Sequence, residues 1–486
     1  MINGRIIINV IGFIISIVGL FMLLPALISF LSEGDDAGCF LVSSLISIGI
    51  GILLVLIKTP DKSIRKREGY LIVGIGWITM CLAGALPYII HHDISFSEAI
   101  FESTSGFTTT GATIFTDIER LSYGTLFWRS LTQWIGGMGI IVFTVAIFPL
   151  LGIGGVELFV AESPGPQSDK IHPRIKGVAK RLWFIYVGLT AFLTLILCFF
   201  GKMSLFDAVN HAMTTMSTGG FSTKNDSIAH FTNLWVQYPI LVFMFIGGMN
   251  YTIIYTLFKG KLQKAWKSDE LRFYLLTVGL LIISISFLVQ YITGGAYETA
   301  FRESAFQIIS MITTTGYVIA DYTSWHQGLT MIFFMMLFMG ACAGSTSGGI
   351  KMIRHFVFFK NSVLEFKRLL HPAAFIRLKV DGNAVNGKII THILVFLLCY
   401  LILFIFGTLI MSIILEGDTT PFLSSIGSTA TCIGNVGPAI GSVGPMDNFA
   451  HIPPVGKVFL SFLMIIGRLE VFTVLIILTP YFWKSN

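Results

Sequence analysis

Four stretches of this 486-residue chain set hydroxyl-bearing or small residues beside glycine within apolar surroundings. They are Thr108-Thr109-Thr110-Gly111-Ala112, Ser217-Thr218-Gly219-Gly220-Phe221, Thr313-Thr314-Thr315-Gly316-Tyr317 and Cys432-Ile433-Gly434-Asn435-Val436-Gly437. Hydroxyl and carbonyl oxygens are hard ligands of the kind alkali and alkaline-earth ions prefer. Glycine lets the backbone take left-handed dihedrals with no side chain in the way. Carbonyls turned inward from several such loops can replace an ion's hydration shell. No ring of carboxylates stands at the glycine level, which favours a monovalent cation over a divalent one. Nothing in the chain resembles a nucleophile with its base and orienting group, so an enzyme is not expected. The six cysteines show no CxxC or metal spacing and read as small buried hydrophobes.

The elements that must position these loops recur with them. Each loop follows a half-length, half-hydrophobic helix, at 96–107, 205–216, 297–312 and 420–431. Full spans flank each unit: 70–90 and 126–151, 178–200 and 234–258, 271–292 and 328–358, 388–415 and 454–482. With Gly111, Gly219, Gly316 and Gly434 taken as equivalent, the period is about one hundred residues, the signature of an array. Irregular backbone at membrane depth is tolerated only where protein buries it or it lines a water-filled path. Four loops meeting on a pseudo-fourfold axis satisfy that condition. The short helices would aim their partially negative carboxyl ends at the ion. Two spans, 6–30 and 40–57, precede the array; the first reads as a retained helix, not a cleaved leader. The expected fold is an all-α integral membrane protein of ten spans. Four pseudo-symmetric helix–pore-helix–loop–helix repeats, at 67–155, 156–262, 263–370 and 371–486, surround one pore, and 1–66 forms an extra amino-terminal pair.

Composition requires lipid as the solvent. Apolar residues make up 54% of the chain, charged residues 12%, and mean hydropathy is +0.80. Soluble domains carry about 25% charged residues. Lysine and arginine cluster in alternate connections, between Lys58 and Arg67, Lys170 and Arg181, Lys259 and Arg272, and Lys351 and Lys388. By the positive-inside rule these connections and both termini are expected in the cytoplasm. Acidic residues gather on the opposite side, where they would concentrate cations at an entrance. Nucleic-acid binding is a poor reading of basic clusters confined to short inter-span loops.

These residues resemble the Trk/Ktr/HKT superfamily of potassium transporters, and within it the membrane subunits of bacterial Trk uptake systems. The resemblance spans the chain. It rests on 105–113 (SGFTTTGAT), 134–139 (WIGGMG), 216–222 (MSTGGFS), 344–351 (GSTSGGIK) and 467–472 (GRLEVF). It implies a potassium filter built from Thr109, Thr110, Gly111, Thr218, Gly219, Thr314, Thr315, Gly316, Ile433, Gly434 and Asn435. Glycine at all four central positions leans towards potassium over sodium. Cys432-Ile433 removes a hydroxyl from the fourth loop. The resemblance further implies a multi-pass protein of the bacterial inner membrane, a homodimer with one pore per chain, and potassium as cargo with no cofactor in this chain. A cytoplasmic ring binding ATP or ADP, with NAD a further candidate, would regulate it. Symport coupled to protons or sodium is the alternative; it would want an ionisable group in the pathway, and none is evident in the loops.

Two features lie below the loops. Gly340-Ala341-Cys342-Ala343-Gly344-Ser345-Thr346-Ser347-Gly348-Gly349 interrupts the last span of the third repeat with small, helix-weakening residues. A phosphate-binding loop is excluded because Ile350 stands where lysine is required. Close helix packing is the plain alternative. The resemblance instead implies an intramembrane gate running through Gly344, Ser345, Thr346, Ser347, Gly348, Gly349 and Lys351. Arg468 stands too deep in the final span to reach the interface, which marks it as functional by default. Glu470, two positions on, faces elsewhere on a helix and makes a poor partner. Arg468 is therefore expected to donate to exposed carbonyls of the broken-helix loop. His91-His92-Asp93 reads as an interfacial polar cap in preference to a metal site, and Asn225-Asp226-Ser227 as a chance sequon.

Overall fold

The computed structural model describes residues 2–57, 65–91, 94–142, 175–374 and 376–484. In lipid each backbone must satisfy its own polar groups, and a helix does so within one segment. The chain opens with α1 (Gly4–Phe21), α2 (Leu23–Leu31) and α3 (Ala37–Val55). Helices α1 and α3 approach closely through glycines. A β-carbon on Gly12 would lie 2.7 Å from the Gly51 carbonyl oxygen, leaving no room for a larger residue.

The amino-terminal pair packs on α4 (Lys66–His91), the first helix of the array. The first repeat continues with α5 (Phe96–Phe107) and α6 (Tyr123–Val142). The second comprises α7 (Ile175–Phe199), α8 (Leu205–Met216), α9 (Leu234–Gly247) and α10 (Tyr251–Phe258). A short α11 (Leu262–Trp266) leads to the third: α12 (Asp269–Thr293), α13 (Tyr297–Ile312), α14 (Gln327–Met336) and α15 (Met352–Leu370). An antiparallel hairpin, β1 (Lys379–Val380) with β2 (Asn383–Ala384), precedes the fourth. That repeat holds α16 (Gly387–Ile414), α17 (Pro421–Gly434), α18 (Pro454–Arg468) and α19 (Phe472–Leu478), and α20 (Pro480–Trp483) ends the described chain.

Burial follows position in the bundle. The apolar window of α4 is 67% buried, those of α12 and α16 only 22%, so the latter two present most of their leucine and isoleucine surface outward. In water such a surface would cost roughly 25 cal/mol per Å²; in lipid it is the correct face.

The half-length helices α5, α8 and α13 fall where the sequence places them. Two begin at a legible signal. The Ser95 side chain accepts from Glu98 N while Glu98 accepts from Ser95 N, and Ser204 accepts from Asp207 N at 3.0 Å. Two of the spans that close the repeats, in the second and the fourth, differ from expectation, and the end of the first, 143–151, lies outside the described residues. A single break was expected, at 340–349, with 234–258 and 454–482 continuous. Instead α9 and α10 meet at 108°, and α18 and α19 at 113°. Gly247-Gly248 ends α9, and the Asn250 side chain restarts α10 by accepting from Thr252 N at 2.8 Å. In the fourth repeat Glu470 and Val471 take φ of 56° and 47°, which no helix accommodates.

Candidate ion-conducting site

All four half-length helices end in the same way. The residue two positions past Phe107, Met216, Ile312 and Ile433 adopts a left-handed conformation: Thr109 at φ 55°, Thr218 at 53°, Thr314 at 55° and Asn435 at 53°. The next amide then reaches back five residues. Thr110 N donates to Ser105 O (2.9 Å), Gly219 N to Thr214 O (2.9 Å), Thr315 N to Ser310 O (2.8 Å) and Val436 N to Thr431 O (3.1 Å). This is a Schellman-type closure. Asparagine tolerates the left-handed region; threonine is strained there. Three strained threonines at one level mark a place where geometry is held for a purpose.

Two residues beyond each of these stands a glycine at positive φ: Gly111 (83°), Gly220 (79°), Gly316 (80°) and Gly437 (105°). Their backbones close a ring in repeat order. A β-carbon on Gly111 would lie 2.3 Å from Gly219 O, on Gly220 1.9 Å from Thr315 O, on Gly316 2.1 Å from Val436 O, and on Gly437 2.7 Å from Thr110 O. Each loop thus presses on the carbonyl of the next, and the fourth returns to the first. All four glycines line one open cavity, together with residues of the outer connections such as Lys224, Asn225 and Asp447. Oxygen ligands without fixed charge, at a cavity floor, are what a monovalent cation requires.

The ring corrects the equivalence drawn from sequence. Gly111 and Gly316 stand as expected, but their counterparts are Gly220 and Gly437, not Gly219 and Gly434. Helix α17 runs through Gly434, three residues past its expected end, which puts Ile433 and Gly434 on the helix and Asn435 level with the threonines. The chemical oddity of the fourth loop is therefore Asn435-Val436 in place of Thr-Thr, not Cys432-Ile433.

Side chains, all but Asn435 outside the expected set, hold the loops. Arg129 and Glu102, both buried, pair at 2.8 Å. Arg129 also donates to Ser222 O (3.1 Å) and Thr113 Oγ1 (3.2 Å), and lies over the Phe221 ring, while Glu102 accepts from Ile114 N (2.9 Å). One ion pair thus ties the first loop to the second. Gln133 donates to Gly219 O (2.7 Å) and accepts from Phe221 N (3.0 Å). Asn435 Nδ2 donates to Thr110 Oγ1 (3.0 Å) and Met464 O (2.9 Å), joining the fourth loop to the first. The signal for Arg129 and Glu102 was charge within a re-entrant unit. Gln133 carried none. Asn225 accepts from Ile118 N (2.7 Å) and donates to Asp117 (3.1 Å), a bracket between the outer connections of repeats one and two. His91 faces Asp35 at 3.6 Å; His92 and Asp93 lie outside the described residues.

Between α14 and α15 the chain runs irregularly directly against the ring. Gly348 N donates to Thr314 Oγ1 (2.7 Å), and Thr346 Oγ1 donates to Met216 O (3.1 Å). Gly344 and Gly349 take φ of 72° and 65°, and Ser345 and Ser347 bond to each other at 2.8 Å. Lys351 Nζ reaches Ser347 O and Oγ. Glu270, at the start of α12, accepts from Ala343 N (2.7 Å) and Ile353 N (3.2 Å), so one carboxylate ties the middle of the loop to the start of α15. Arg468 donates to Thr346 O (2.8 Å), as its depth suggested, and also to Gly136 O (2.7 Å) and Gly137 O (3.1 Å) at the far end of α6. Glu470 pairs with Arg354.

Comparison with known proteins agrees with this architecture. Residues 40–484 match the profile of the family described as "TrkH: Cation transport protein". The chain is 37% identical to the Trk system potassium uptake protein TrkH of Salmonella typhimurium over 99% of both chains, and 34% identical to TrkG of Escherichia coli over 99% of both. Its structure superposes on the crystal structure of the potassium transporter TrkH from Vibrio parahaemolyticus with a TM-score of 0.89 and 32% identity, covering 99% of this chain and 100% of that one. With the array, the two leading helices and full-length relatives in agreement, this chain belongs to the TrkH family of cation transport proteins.

Proposed function

We propose that the chain carries potassium into the cell across the bacterial inner membrane, with the four-loop ring as its selectivity filter and the 337–351 segment as its gate. The observation that carries this reading is the closed succession of Gly111, Gly220, Gly316 and Gly437 against neighbouring carbonyls. The relatives' description as potassium uptake proteins supplies the cargo. Within the ring Thr109, Thr110, Thr218, Thr314, Thr315 and Asn435 contribute oxygens, and Arg468 pins the gate from below while placing positive charge there. Basic connections and termini face the cytoplasm in this reading. The regulator is a separate nucleotide-binding ring docking on that face, and the membrane subunit is a homodimer with one pore per chain.

Expression in cells that lack their own potassium uptake is expected to restore growth at low potassium and to confer rubidium influx. A protein present in the membrane at normal levels that supports neither refutes the reading. For the gate, Arg468→Ala is expected to raise basal flux; unchanged or reduced flux at normal expression removes Arg468 from gating.

A further inference from the structure

The four left-handed residues at the inner end of the ring are equivalent in backbone but not in what their side chains do. All are fully buried. Thr109 Oγ1 and Asn435 Oδ1 have no hydrogen-bond partner among the described residues. Thr218 Oγ1 donates to Ser217 O at 2.7 Å and lies 3.3 Å from Thr346 Oγ1. Thr314 Oγ1 accepts the amide of Gly348 at 2.7 Å. The loop backbone itself meets the ring there: a β-carbon on Gly348 would lie 2.7 Å from Gly434 O and 2.7 Å from the Asn435 β-carbon. Thr346, bonded to Met216 O, is the second fastening.

We propose that the Thr314 hydroxyl is shared between the passing cation and the intramembrane loop, so that ion occupancy at the inner end of the filter and latching of the loop oppose each other. This rests on the reading of the ring as the potassium path. A hydroxyl oxygen has two lone pairs and one hydrogen. The Gly348 amide occupies one lone pair. A cation at the same oxygen draws on that density and repels the partly positive amide hydrogen, so each partner weakens the other. Linkage makes the effect mutual: whatever the ion does to the latch, the latch does to ion affinity. The gate would then sense the ion it controls, without a separate sensor, through one of four otherwise matched positions.

The test uses the purified full-length chain in planar bilayers, recording unitary conductance and open probability across a range of potassium concentrations. In the wild type, open probability rises with potassium. Thr314→Val removes the acceptor and is expected to raise open probability about tenfold, the scale of orphaning one buried donor in the latched state, and to flatten its potassium dependence. Thr314→Ser keeps both close to wild type. Thr109→Val, at the matching position that the loop does not bond, weakens the ion site and leaves the latch intact, so it alters unitary conductance and shifts the potassium dependence to higher concentration without raising open probability. Thr346→Val, which frees the second fastening and leaves the Thr314 hydroxyl in place, raises open probability while retaining its potassium dependence, and decides the matter if Thr314→Val does not fold. Wild-type open probability and potassium dependence in a conducting Thr314→Val, or wild-type open probability in Thr346→Val, overturns the shared hydroxyl alone. A wild-type chain that passes no potassium refutes the parent reading as well.

Discussion

Adjacent glycines in the second loop offer a direct test of the ring, because only one of them has the conformation the ring requires. Gly220 sits at φ 79°, and a β-carbon there would lie 1.9 Å from Thr315 O. Alanine in the left-handed region costs about 1–2 kcal/mol. Contacts of a β-carbon below 3.0 Å essentially never occur. The methyl of Gly220→Ala must therefore push the third loop's carbonyl by about 1 Å, and in a site built on positioning a displacement of that size is worth roughly a hundredfold. Gly219 has an ordinary φ, and its β-carbon would meet the end of the Gln133 side chain, at 2.4 Å from Cδ. That side chain can swing aside at the loss of its two bonds to the loop, roughly thirtyfold in effect at about 1 kcal/mol each. Rubidium influx, normalised to protein in the membrane and measured with and without competing sodium, should fall by about a hundredfold or more for Gly220→Ala, with loss of discrimination, and about thirtyfold at most for Gly219→Ala. The reverse order of severity would refute the register assigned to the second loop.

Three further perturbations follow from the same geometry. Glu270→Ala frees the proposed gating segment at Ala343 and at the start of α15 and should raise basal flux without changing the ratio of potassium to sodium transport; a changed ratio would place Glu270 in support of the four-loop ring instead. Arg129→Met leaves Glu102 charged and buried, which should cost about 3–5 kcal/mol, read as a large drop in the detergent unfolding temperature, whereas the paired replacement Arg129→Met with Glu102→Gln should recover part of it. At the outer end of α5, a hydrogen bond from Lys457 together with bonds from Ser95 holds the Glu98 carboxyl below its ordinary value of 4.5. A depressed carboxylate contributes stability that is present above its unfolded pKa and lost as pH falls through the folded one. Unfolding temperature should therefore decline as pH is lowered below about 4.5, and Glu98→Gln should be less stable at neutral pH and show a shallower decline.

Much of this architecture is local and hence visible in the chain. A span needs only enough apolar length, a half-length helix only a capping serine with an acid three residues on, as at Ser95 and Ser204, and a repeat only a recurring order of these signals. Arg468 stood out because charge at that depth demands a partner. What stayed hidden depends on neighbours. The bends after Gly247 and Arg468 join segments that are both apolar, so hydropathy passes over them without a mark. Gln133 and Glu270 act by the backbone groups they reach, and those belong to segments far away in the chain.

The register of the four loops shows the division most clearly. Threonines, serines and glycines within four re-entrant units determined by themselves that the loops were oxygen-rich and able to turn, and so pointed to a small cation as the expected cargo. They did not determine which glycine of Gly219-Gly220, or which of Gly434 and Gly437, stands in the ring. That choice depends on where each helix ends, which for α17 is three residues later than composition suggests, and on which β-carbon position the next loop's carbonyl already fills. A glycine's permissiveness is a property of the residue. The requirement for it is imposed by the neighbouring repeat, and only the folded chain brings that neighbour within 3 Å.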